Sequence, residues 1–529
     1  MNTIAFTYKD LQTATSGRWY NLDFLIRNSE SSTLHEQGNQ EDKIEKCKTG
    51  DIEQKVNSWL NEEKQVDAGL MPTYANRISF ISTDTRLNNK NALFLALSGI
   101  NFDAHNFLQK AIDSGATALC LQKGKYELNK IPSNIPVLEV HNTLKAYQDI
   151  ANFHRKRLKG LTLIALTGSN GKTSTKDILH GILSAEFGKE KVYTTKANTN
   201  NFIGVPQNIL NLTDKHKVAV IELGSNHPGE IGRLTKIANP DIAVITSIGP
   251  AHLEYFKDIN GVIEEKTSIF TAFNNHKKGI AIIPTEYSNN NIFLQKTDKS
   301  RTVTFGKTEN GDIYWKHLNT NIDKCKFKLH WRLNDLSQKV LWNIPGIHQL
   351  SNAAAAAAVA TVIEITPSNI ATALRDCKIS GMRMRINKVN DITWINDAYN
   401  ANPSSTRAGV DWLHEMTKDV LLADKHKRLY VVLGDMLELG KNTLDVHREI
   451  IEYTVNKLPS FQIIGVGPIM SEVIKHLKFI FQNSSNLHSF LNSDEAAFFF
   501  KSELQTNDLI YLKGSRGIAL EKIEQKYEY

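Results

Sequence analysis

The chain has 529 residues, of which 41% are hydrophobic and 22% are charged, with a formal net charge of +7. At roughly 150 residues per domain, this length predicts about three domains. No apolar run approaches the ~20 residues that cross a bilayer, and the first residues are too polar for a secretory signal. We therefore expect an ordinary globular protein in the cytoplasm, without a membrane span.

Basic residues are spread along the chain rather than gathered in one block, which favours a small anionic ligand over nucleic acid. We expect a monomer that binds neither nucleic acid nor a membrane. The cysteines show no CxxC spacing, which predicts reduced thiols without a zinc site or a disulfide framework. They are Cys47, Cys120, Cys325 and Cys377.

A small α/β unit is predicted over residues 1–158. Within it, residues 28–67 are polar and charge-rich, a composition that buries little surface, and we interpret them as an insertion. Short strands are predicted in RISFISTDTR (77–86), NALFLAL (91–97) and TALCLQ (117–122), and an amphipathic helix is predicted in HNFLQKAIDSGA (105–116).

The next block, residues 159–380, alternates apolar strands with amphipathic helices, which predicts a parallel sheet covered on both faces. Its predicted strands lie in LTLIALTG (161–168), KVAVIELG (217–224) and PDIAVITSIG (240–249). Residues 326–344 alternate with period two and predict an antiparallel hairpin at the edge of this domain. The alanine-rich segment 348–365 predicts a helix that packs very close to a neighbour.

A third α/β block is predicted over residues 381–529. Its strands are predicted in ITWINDAYN (392–400), RLYVVLGDM (428–436), FQIIGVG (461–467) and DLIYLKGSR (508–516), with helices between them. The fold class is therefore α/β, and the absence of a repeating period argues against a solenoid or propeller.

The segment TGSNGKTS (167–174) joins a strand to a helix, where backbone N–H groups converge on phosphate oxygens. Gly168 and Gly171 permit the tight turn, Lys172 can reach terminal phosphates, and the Thr173 hydroxyl can ligate Mg²⁺. The usual P-loop pattern needs another glycine where this chain has Leu166. A glycine turn without a ligand would explain the two glycines but neither the lysine nor the threonine.

Two further candidates follow predicted strands, where ligands collect in open α/β sheets. Glu222 closes one strand and His252 follows the next. With Thr173 they would offer Mg²⁺ a carboxylate, an imidazole and a hydroxyl beside nucleotide phosphates. Alternatively, Glu222 is a helix-capping acid and His252 is a loop histidine with satisfied hydrogen bonds.

Several separated motifs between Arg77 and Leu520 resemble the Mur ligase family, ATP-dependent amide-forming enzymes of peptidoglycan synthesis. The motifs are STDTR (82–86), TGSNGKTS (167–174), NTNNFIGVPQ (198–207), IELGSNHPGEI (221–231), GPAHLE (249–254), GMRM (381–384), NDAYNANP (396–403), LGDMLELG (433–440) and LKGSRG (512–517). The resemblance implies a UDP-sugar-binding domain over 1–158, a central P-loop ATPase domain over 159–380 and a C-terminal Rossmann-like domain over 381–529.

The implied reaction joins D-alanyl-D-alanine to UDP-N-acetylmuramoyl-tripeptide. ATP would phosphorylate the tripeptide carboxylate, and the dipeptide amine would displace phosphate from the acyl phosphate. Lys172, Mg²⁺ and Arg383 would stabilise the transferring phosphoryl group.

The resemblance also implies roles for particular residues. The implied catalytic residues are Lys172, Glu222, His252, Lys266 and Arg383. The implied ATP-binding residues are Thr167, Gly168, Ser169, Asn170, Gly171, Lys172, Thr173, Ser174, Asn352, Arg383 and Asp397, with Asn352 on the adenine and Asp397 on the ribose. The implied metal ligands are Thr173, Glu222, His252 and Lys266. Lys266 would act as a carbamate that holds a second Mg²⁺; alternatively, it is an exposed helical lysine.

The implied substrate-binding residues fall into two groups. Ser82, Thr83, Asp84 and Arg86 would face the UDP-sugar, and Asn201 would contact the muramoyl substrate. Asn400 and Arg516 would lie on the dipeptide side. Alternatively, Ser82 and Asp84 cap turns, and Lys513 with Arg516 forms a solvated strand end.

Three other functions fit part of this pattern. A ligase that adds a diamino acid usually carries an Asn-Pro-Arg segment in its last domain, where this chain has NDAYNANPSS and LKGSRG. A folylpolyglutamate synthase shares the ATPase core. A P-loop switch or motor commonly carries an Asp after the corresponding strand, where this chain has Glu222.

Overall fold

A computed structural model describes residues 5–22, 77–273, 279–320, 322, 324–423, 428–458, 460–480 and 486–528. The predicted insertion at 28–67 lies outside the described residues. The chain forms two compact units, the first of which comprises Met1–Leu161, Phe202–His216 and Ile237–Asn239, and the second the rest. The three-domain division with its boundaries stays a prediction.

The first unit contains a five-stranded sheet in the order β2-β7-β6-β5-β4, and a two-stranded pair, β1 with β3. Neighbours in the larger sheet are parallel except β2, which runs antiparallel to β7. The strands are β1 Phe6–Thr7, β2 Arg18–Tyr20, β3 Arg77–Ile78, β4 Phe80–Ser82, β5 Ala92–Leu95, β6 Ala118–Gln122 and β7 Val137–Val140. The helices are α1 Tyr8–Thr15, α2 Leu108–Asp113, α3 Thr143–Arg157 and α5 Gly204–Leu210. Helix α4 (Lys172–Phe187), which lies between α3 and α5 in the chain, belongs to the second unit.

Local chemistry fixes the helices of this unit. The Thr7 side chain accepts from the Asp10 N–H while the Asp10 side chain accepts from the Thr7 N–H, a capping box that begins α1. The Asn142 side chain caps α3 by accepting from the Lys145 N–H. The predicted strands and helix of residues 77–122 are confirmed, whereas α1, β2, β7 and α3 were not predicted.

The second unit begins with a nine-stranded sheet in the order β16-β15-β14-β13-β12-β11-β8-β10-β9. Neighbours from β9 to β14 are parallel, and β14, β15 and β16 pair antiparallel, which confirms the predicted edge hairpin. The strands are β8 Thr162–Thr167, β9 Val192–Thr194, β10 Val218–Glu222, β11 Ile242–Ile245, β12 Ile280–Pro284, β13 Thr302–Gly306, β14 Ile313–Thr320, β15 Cys325–Trp331 and β16 Leu336–Trp342. The helices are α4 Lys172–Phe187, α6 Glu230–Ala238, α7 Leu253–Phe256, α8 Ile259–Thr267, α9 Asn291–Lys296, α10 Gln349–Val362 and α11 Pro367–Asp376.

The alanine-rich helix α10 packs against the nine-stranded sheet and lies within the hydrophobic core. Its residues 353–358 are all alanine and are fully buried. Small side chains let a helix backbone approach its neighbours closely, and α10 packs against α4, the helix that follows the glycine loop. The predicted close packing of this helix is confirmed.

A second sheet of the same unit has six strands in the order β17-β18-β22-β19-β20-β21, parallel except for the β17–β18 pair. The strands are β17 Arg385–Val389, β18 Ile392–Asn396, β19 Leu429–Gly434, β20 Gln462–Val466, β21 Leu487–Phe490 and β22 Leu509–Lys513. The helices are α12 Pro403–Ala423, α13 Thr443–Lys457, α14 Pro468–Ile480, α15 Ser493–Glu503 and α16 Glu521–Glu528. The four predicted strands are confirmed, and β17 and β21 are additional.

Within the described residues, no helix is long and apolar enough to cross a membrane. The cysteines that the structure describes, Cys120, Cys325 and Cys377, are free thiols, as the sequence predicts, and the structure shows that they are buried. Cys47 lies outside the described residues.

Candidate functional site

The glycine loop turns sharply between β8 and α4. Gly171 precedes the helix at φ 81°, and a Cβ there would lie 2.2 Å from Asn352 Oδ1. Gly168 has φ 152°, and its Cβ would lie 2.1 Å from Thr246 Oγ1. Both positions therefore require glycine. No side chain caps the first turn of α4, so its N–H groups are suited to an anion.

Hydrogen bonds fix the residues of the glycine loop in place. Lys172 Nζ donates to the Gly168 carbonyl at 2.7 Å, so the ammonium lies over the loop. Ser169 Oγ donates to the Gly249 carbonyl at 2.8 Å, and the Asn170 N–H donates to Ser247 Oγ at 2.9 Å. Burial lowers the pKa of Lys172, an effect that the charge of Glu222 opposes.

Glu222 is a buried carboxylate at the end of β10, with 3% of its surface exposed. Thr173 Oγ1 donates to Oε2 at 3.0 Å, and Asn200 Nδ2 donates to Oε1 at 3.0 Å. The Glu222 N–H in turn donates to Thr195 Oγ1 at 2.9 Å. The carboxylate thus receives side-chain donors rather than capping a helix, and Thr173 and Glu222 are brought together as predicted.

His252 immediately precedes α7, in a left-handed conformation with φ 52°. Its Nδ1 lies 2.6 Å from Oε2 of Glu438, a residue from the loop after β19 in the second sheet. Burial lowers the pKa of this imidazole, and the Glu438 charge opposes that shift. His252 therefore faces a carboxylate that the sequence did not predict.

Lys266 lies near the end of α8 with only 2% of its surface exposed, so the alternative of an exposed helical lysine is wrong. Its Nζ donates to Ser225 Oγ at 2.8 Å and lies 5.6 Å from the centre of the Phe256 ring. Burial, reinforced by the charge of Lys172, lowers the pKa of Lys266 to about 7.

The predicted metal ligands are chemically mixed. Within the described part of the chain, no group of three or more His, Cys, Asp or Glu side chains is placed to hold a metal ion. A buried carboxylate 3.0 Å from the Thr173 hydroxyl nevertheless suits Mg²⁺, which takes few protein oxygens and completes its shell with phosphate oxygens and water. Lys266 fits such a set only as a carbamate, because an ammonium group has no lone pair to offer.

Two predicted nucleotide-binding residues lie close to the glycine loop. Asn352 is 8% exposed, accepts from Thr175 Oγ1 at 3.4 Å and donates to Gln349 Oε1 at 2.7 Å. Arg383 stacks on the Tyr399 ring, with Cζ 3.6 Å from the ring centre. The charge of Arg383 also contributes to the lowered pKa of Lys172, after burial.

Asp397 follows β18 in the second sheet and is 9% exposed. Lys513 Nζ donates to its Oδ2 at 2.8 Å, and the Tyr511 hydroxyl donates to the same atom at 3.1 Å. Because Lys513 is 3% exposed, the alternative of a solvated strand end is wrong for this lysine.

The four substrate candidates of the first unit form a local turn. The Asp84 N–H donates to Ser82 Oγ at 3.4 Å, and Arg86 binds the Asp84 carboxylate through two nitrogens, at 2.9 and 2.6 Å. This pairing lowers the pKa of Asp84 to about 2. Ser82 and Asp84 therefore do stabilise a turn, with Thr83 between them, while Arg86 stays largely exposed.

The other substrate candidates, Asn201, Asn400 and Arg516, lie in the second unit. The Asn400 carbonyl accepts from Lys513 Nζ at 3.1 Å. Arg516 is exposed and pairs with Glu521. Thus Asn400 adjoins the Asp397–Lys513 pair, whereas Arg516 forms an ion pair at the surface.

Sequence reasoning missed several residues that contact the predicted site. Four of them are Asn200, Ser225, Glu438 and Asn402, whose Nδ2 donates to Asn170 Oδ1 in the glycine loop at 2.7 Å. All four stand inside or beside motifs quoted above. The motifs gave a signal, but spacing alone did not tell which member contacts which partner.

A largely parallel sheet in which one strand runs through a glycine loop into a helix, with a lysine over the loop and a hydroxyl on a buried carboxylate, defines a P-loop nucleotide-binding protein. The chain belongs to the Mur ligase family. Residues 166–360 match the family model of the Mur ligase middle domain, and residues 382–516 match that of the Mur ligase, glutamate ligase domain.

Curated relatives and solved structures agree with this membership. The chain is 36% identical to the UDP-N-acetylmuramoyl-tripeptide–D-alanyl-D-alanine ligase of Buchnera aphidicola subsp. Baizongia pistaciae, over 85% of this chain and 92% of the relative. It is 31% identical to the enzyme of the same name from Bacillus subtilis, over 84% and 92%. A crystal structure of MurF from Acinetobacter baumannii superposes with a TM-score of 0.77 at 27% identity, covering 100% of both chains.

Proposed function

We propose that this protein is an ATP-dependent ligase that joins D-alanyl-D-alanine to UDP-N-acetylmuramoyl-tripeptide, with ADP and phosphate as the other products. The observation that carries the proposal is the family likeness over most of the chain together with a glycine loop whose lysine, hydroxyl and carboxylate are already assembled. The reaction uses ATP and a nucleotide-linked precursor, so the proposal includes a cytoplasmic location.

The reaction needs activation because a carboxylate is a poor electrophile. The tripeptide carboxylate oxygen attacks the γ-phosphorus of ATP, and ADP leaves. The dipeptide amine then attacks the acyl carbon, phosphate leaves with the acyl oxygen, and the amine releases a proton. Lys172 and the first-turn N–H groups of α4 bind the phosphates, and Arg383 stabilises the charge on the transferring phosphoryl group.

Magnesium would be held by Thr173, Glu222 and His252, where it would neutralise phosphate charge. Glu222 is already oriented for this task, since Asn200 and Thr173 fix its two oxygens. Lys266 would join the metal site as a carbamate. Its lowered pKa supports this role, because carbon dioxide reacts with a neutral amine and not with an ammonium ion.

The remaining roles belong to the proposal as well. Asn352 would contact the adenine and Asp397 the ribose, and both are buried near polar partners. Ser82, Thr83, Asp84, Arg86 and Asn201 would bind the UDP-muramoyl substrate. Asn400 and Arg516 would bind the dipeptide. The domain limits 1–158, 159–380 and 381–529 stay part of this proposal.

Phosphate release tests the function directly. The purified protein is given ATP and Mg²⁺ with UDP-muramoyl tripeptides that carry meso-diaminopimelate or lysine, with and without D-alanyl-D-alanine. We expect phosphate and a new UDP-muramoyl pentapeptide only when tripeptide and dipeptide are both present. Activity with a free diamino acid instead would identify a different amide-forming ligase, and stimulation by nucleic acid or protein would indicate a switch or motor.

A further inference from the structure

The first turns of α4 are tied to the segment that connects the two sheets of the second unit. Asp177 lies five residues after Lys172 on this helix. Its Oδ2 accepts from the Ser380 N–H at 2.8 Å and from Ser380 Oγ at 2.6 Å. Its Oδ1 lies 3.0 Å from Lys176 Nζ, which also donates to the Thr195 carbonyl at 3.2 Å. Both carboxylate oxygens of Asp177 are therefore occupied, and its orientation is fixed.

Ser380 in turn holds Arg383. Arg383 Nη1 donates to the Ser380 carbonyl at 3.1 Å, and the guanidinium stacks on Tyr399 at 3.6 Å. Gly381 lies between them with φ 76°, a left-handed conformation that turns the chain back so that this carbonyl meets the arginine. Two contacts thus fix the guanidinium, one of them through Ser380.

We infer that Asp177 and Ser380 are positioning residues for Arg383, which fix the arginine relative to the glycine-loop helix. This inference rests on the proposed function, in which Arg383 acts on the transferring phosphoryl group. A transition-state contact is sensitive to displacements of about 1 Å, so a side chain on the same helix as Lys172 is well placed to keep the arginine and the loop in register.

If these bonds only stabilised the fold, their loss would lower stability and leave kcat unchanged. Ser380 is exposed, and water competes for its hydrogen bonds, so their contribution to folding is small. A second tie of the same kind provides a matched control. Asn369 Nδ2 on α11 donates to Glu186 Oε2, near the end of α4, at 3.0 Å, and this bond is also exposed. It anchors α4 without leading to Arg383.

Steady-state kinetics of phosphate release separates the two roles, with ATP varied and the other substrates saturating. We expect Asp177→Ala to lower kcat about tenfold and Ser380→Ala about threefold, with KM for ATP changed less than about twofold. Ser380→Thr keeps both donors and should restore kcat, and Glu186→Ala should match the wild type. In an Arg383→Lys background, Asp177→Ala should lower kcat by less than about twofold, because the guanidinium that Asp177 positions is already absent.

The outcomes distinguish the inference from the function on which it rests. A wild type that releases no phosphate with any tripeptide and dipeptide would overturn the proposed function and, with it, this inference. An active wild type with wild-type kcat in Ser380→Ala, or with equal losses in Asp177→Ala and Glu186→Ala, would overturn the inference alone. Should Asp177→Ala fail to fold, Ser380→Ala against Ser380→Thr decides the question.

Discussion

At the residue scale, we expect the charge of Lys172 to act on phosphate groups and not on the stability of the fold. Its Nζ donates to the Gly168 carbonyl within the glycine loop and, among the described residues, forms no hydrogen bond to a core side chain. We expect Lys172→Ala to lower ligation about 10²- to 10³-fold, as the loss of one preorganised charge donor does elsewhere. The free energy of unfolding should stay unchanged, which urea unfolding will measure beside phosphate release.

Lys189→Ala is the matched control, because that lysine is exposed just beyond the end of the same helix. It should keep wild-type turnover. Turnover near that of the wild type in Lys172→Ala would refute the assignment of the glycine loop.

Lys266 leads to a second prediction at this scale. A buried lysine beside a serine is unfavourable as a cation, and the proposed carbamate would turn it into an anionic ligand. We expect Lys266→Ala to lose most activity, about 10- to 100-fold, and to regain part of it when formate or acetate is added. Phosphate release at increasing carboxylate concentration measures the rescue, with Lys172→Ala as a variant that carboxylates should not rescue.

Sequence reasoning reached the central residues of the site but not their surroundings. The spacing of glycines, lysine and threonine predicted the loop, and the strand end predicted Glu222. The burial of Lys266 was not predictable, because two charged residues, Glu264 and Glu265, directly precede it in the sequence. Nor was the Asp177–Ser380 contact, because it joins residues 203 positions apart and hydrogen bonds of that span leave no periodic trace.

At the element scale, several strands were predicted from their long apolar runs, whereas some short strands were not. β8, β10, β11 and β19 are nearly all buried, so their composition identifies them. β9 has three residues and β21 is partly exposed, so neither stands out from a loop. The order of strands within each sheet depends on long-range pairing, which the alternation of strands and helices does not specify.

The loop between β19 and α13, residues 435–442, is held by a buried histidine. The Met436 N–H donates to His447 Nε2 at 2.8 Å, and His447 Nδ1 donates to the Thr443 carbonyl at 2.6 Å. These bonds require the neutral imidazole, and burial lowers the pKa of His447 in the folded protein. This loop carries Glu438, the partner of His252.

Acid should therefore destabilise this loop in a predictable direction. The unfolded histidine takes up a proton below about pH 6.5 while the folded one resists, so its stabilising effect is complete above that pH and decreases as the pH falls. We expect the free energy of unfolding to decrease with falling pH by up to about 1.4 kcal/mol per unit more in the wild type than in His447→Gln. Urea unfolding between pH 8 and 5.5 measures both slopes, and equal slopes would contradict this account.

At the scale of the whole molecule, side chains from the second sheet of the second unit contact the glycine loop and His252. Asn402 precedes α12 of the second sheet, and its Nδ2 donates to Asn170 Oδ1 across 232 positions of sequence. Glu438 reaches His252 in the same way, from the loop after β19. Such contacts depend on how separately predicted sheets meet. They are where the sequence was least informative.

The Asn402 contact can be removed without disturbing the helix that follows it. Asn402 Oδ1 caps α12 by accepting from the Ser405 N–H at 2.9 Å, and serine caps helices about as well as asparagine but is too short to reach Asn170. We expect Asn402→Ser to lower kcat/KM for ATP about 3- to 10-fold, the effect of one lost hydrogen bond of about 1 kcal/mol, with an unfolding free energy near that of the wild type. The double variant with Asn170→Ala should lose no more than Asn170→Ala alone, because both changes delete the same bond.

Asn492→Ser is the control, since Asn492 caps α15 through the same side-chain atom and makes no contact with the glycine loop among the hydrogen bonds that the described residues form. Wild-type kinetics in Asn402→Ser, or an equal loss in Asn492→Ser, would show that the second sheet does not act on ATP through the glycine loop.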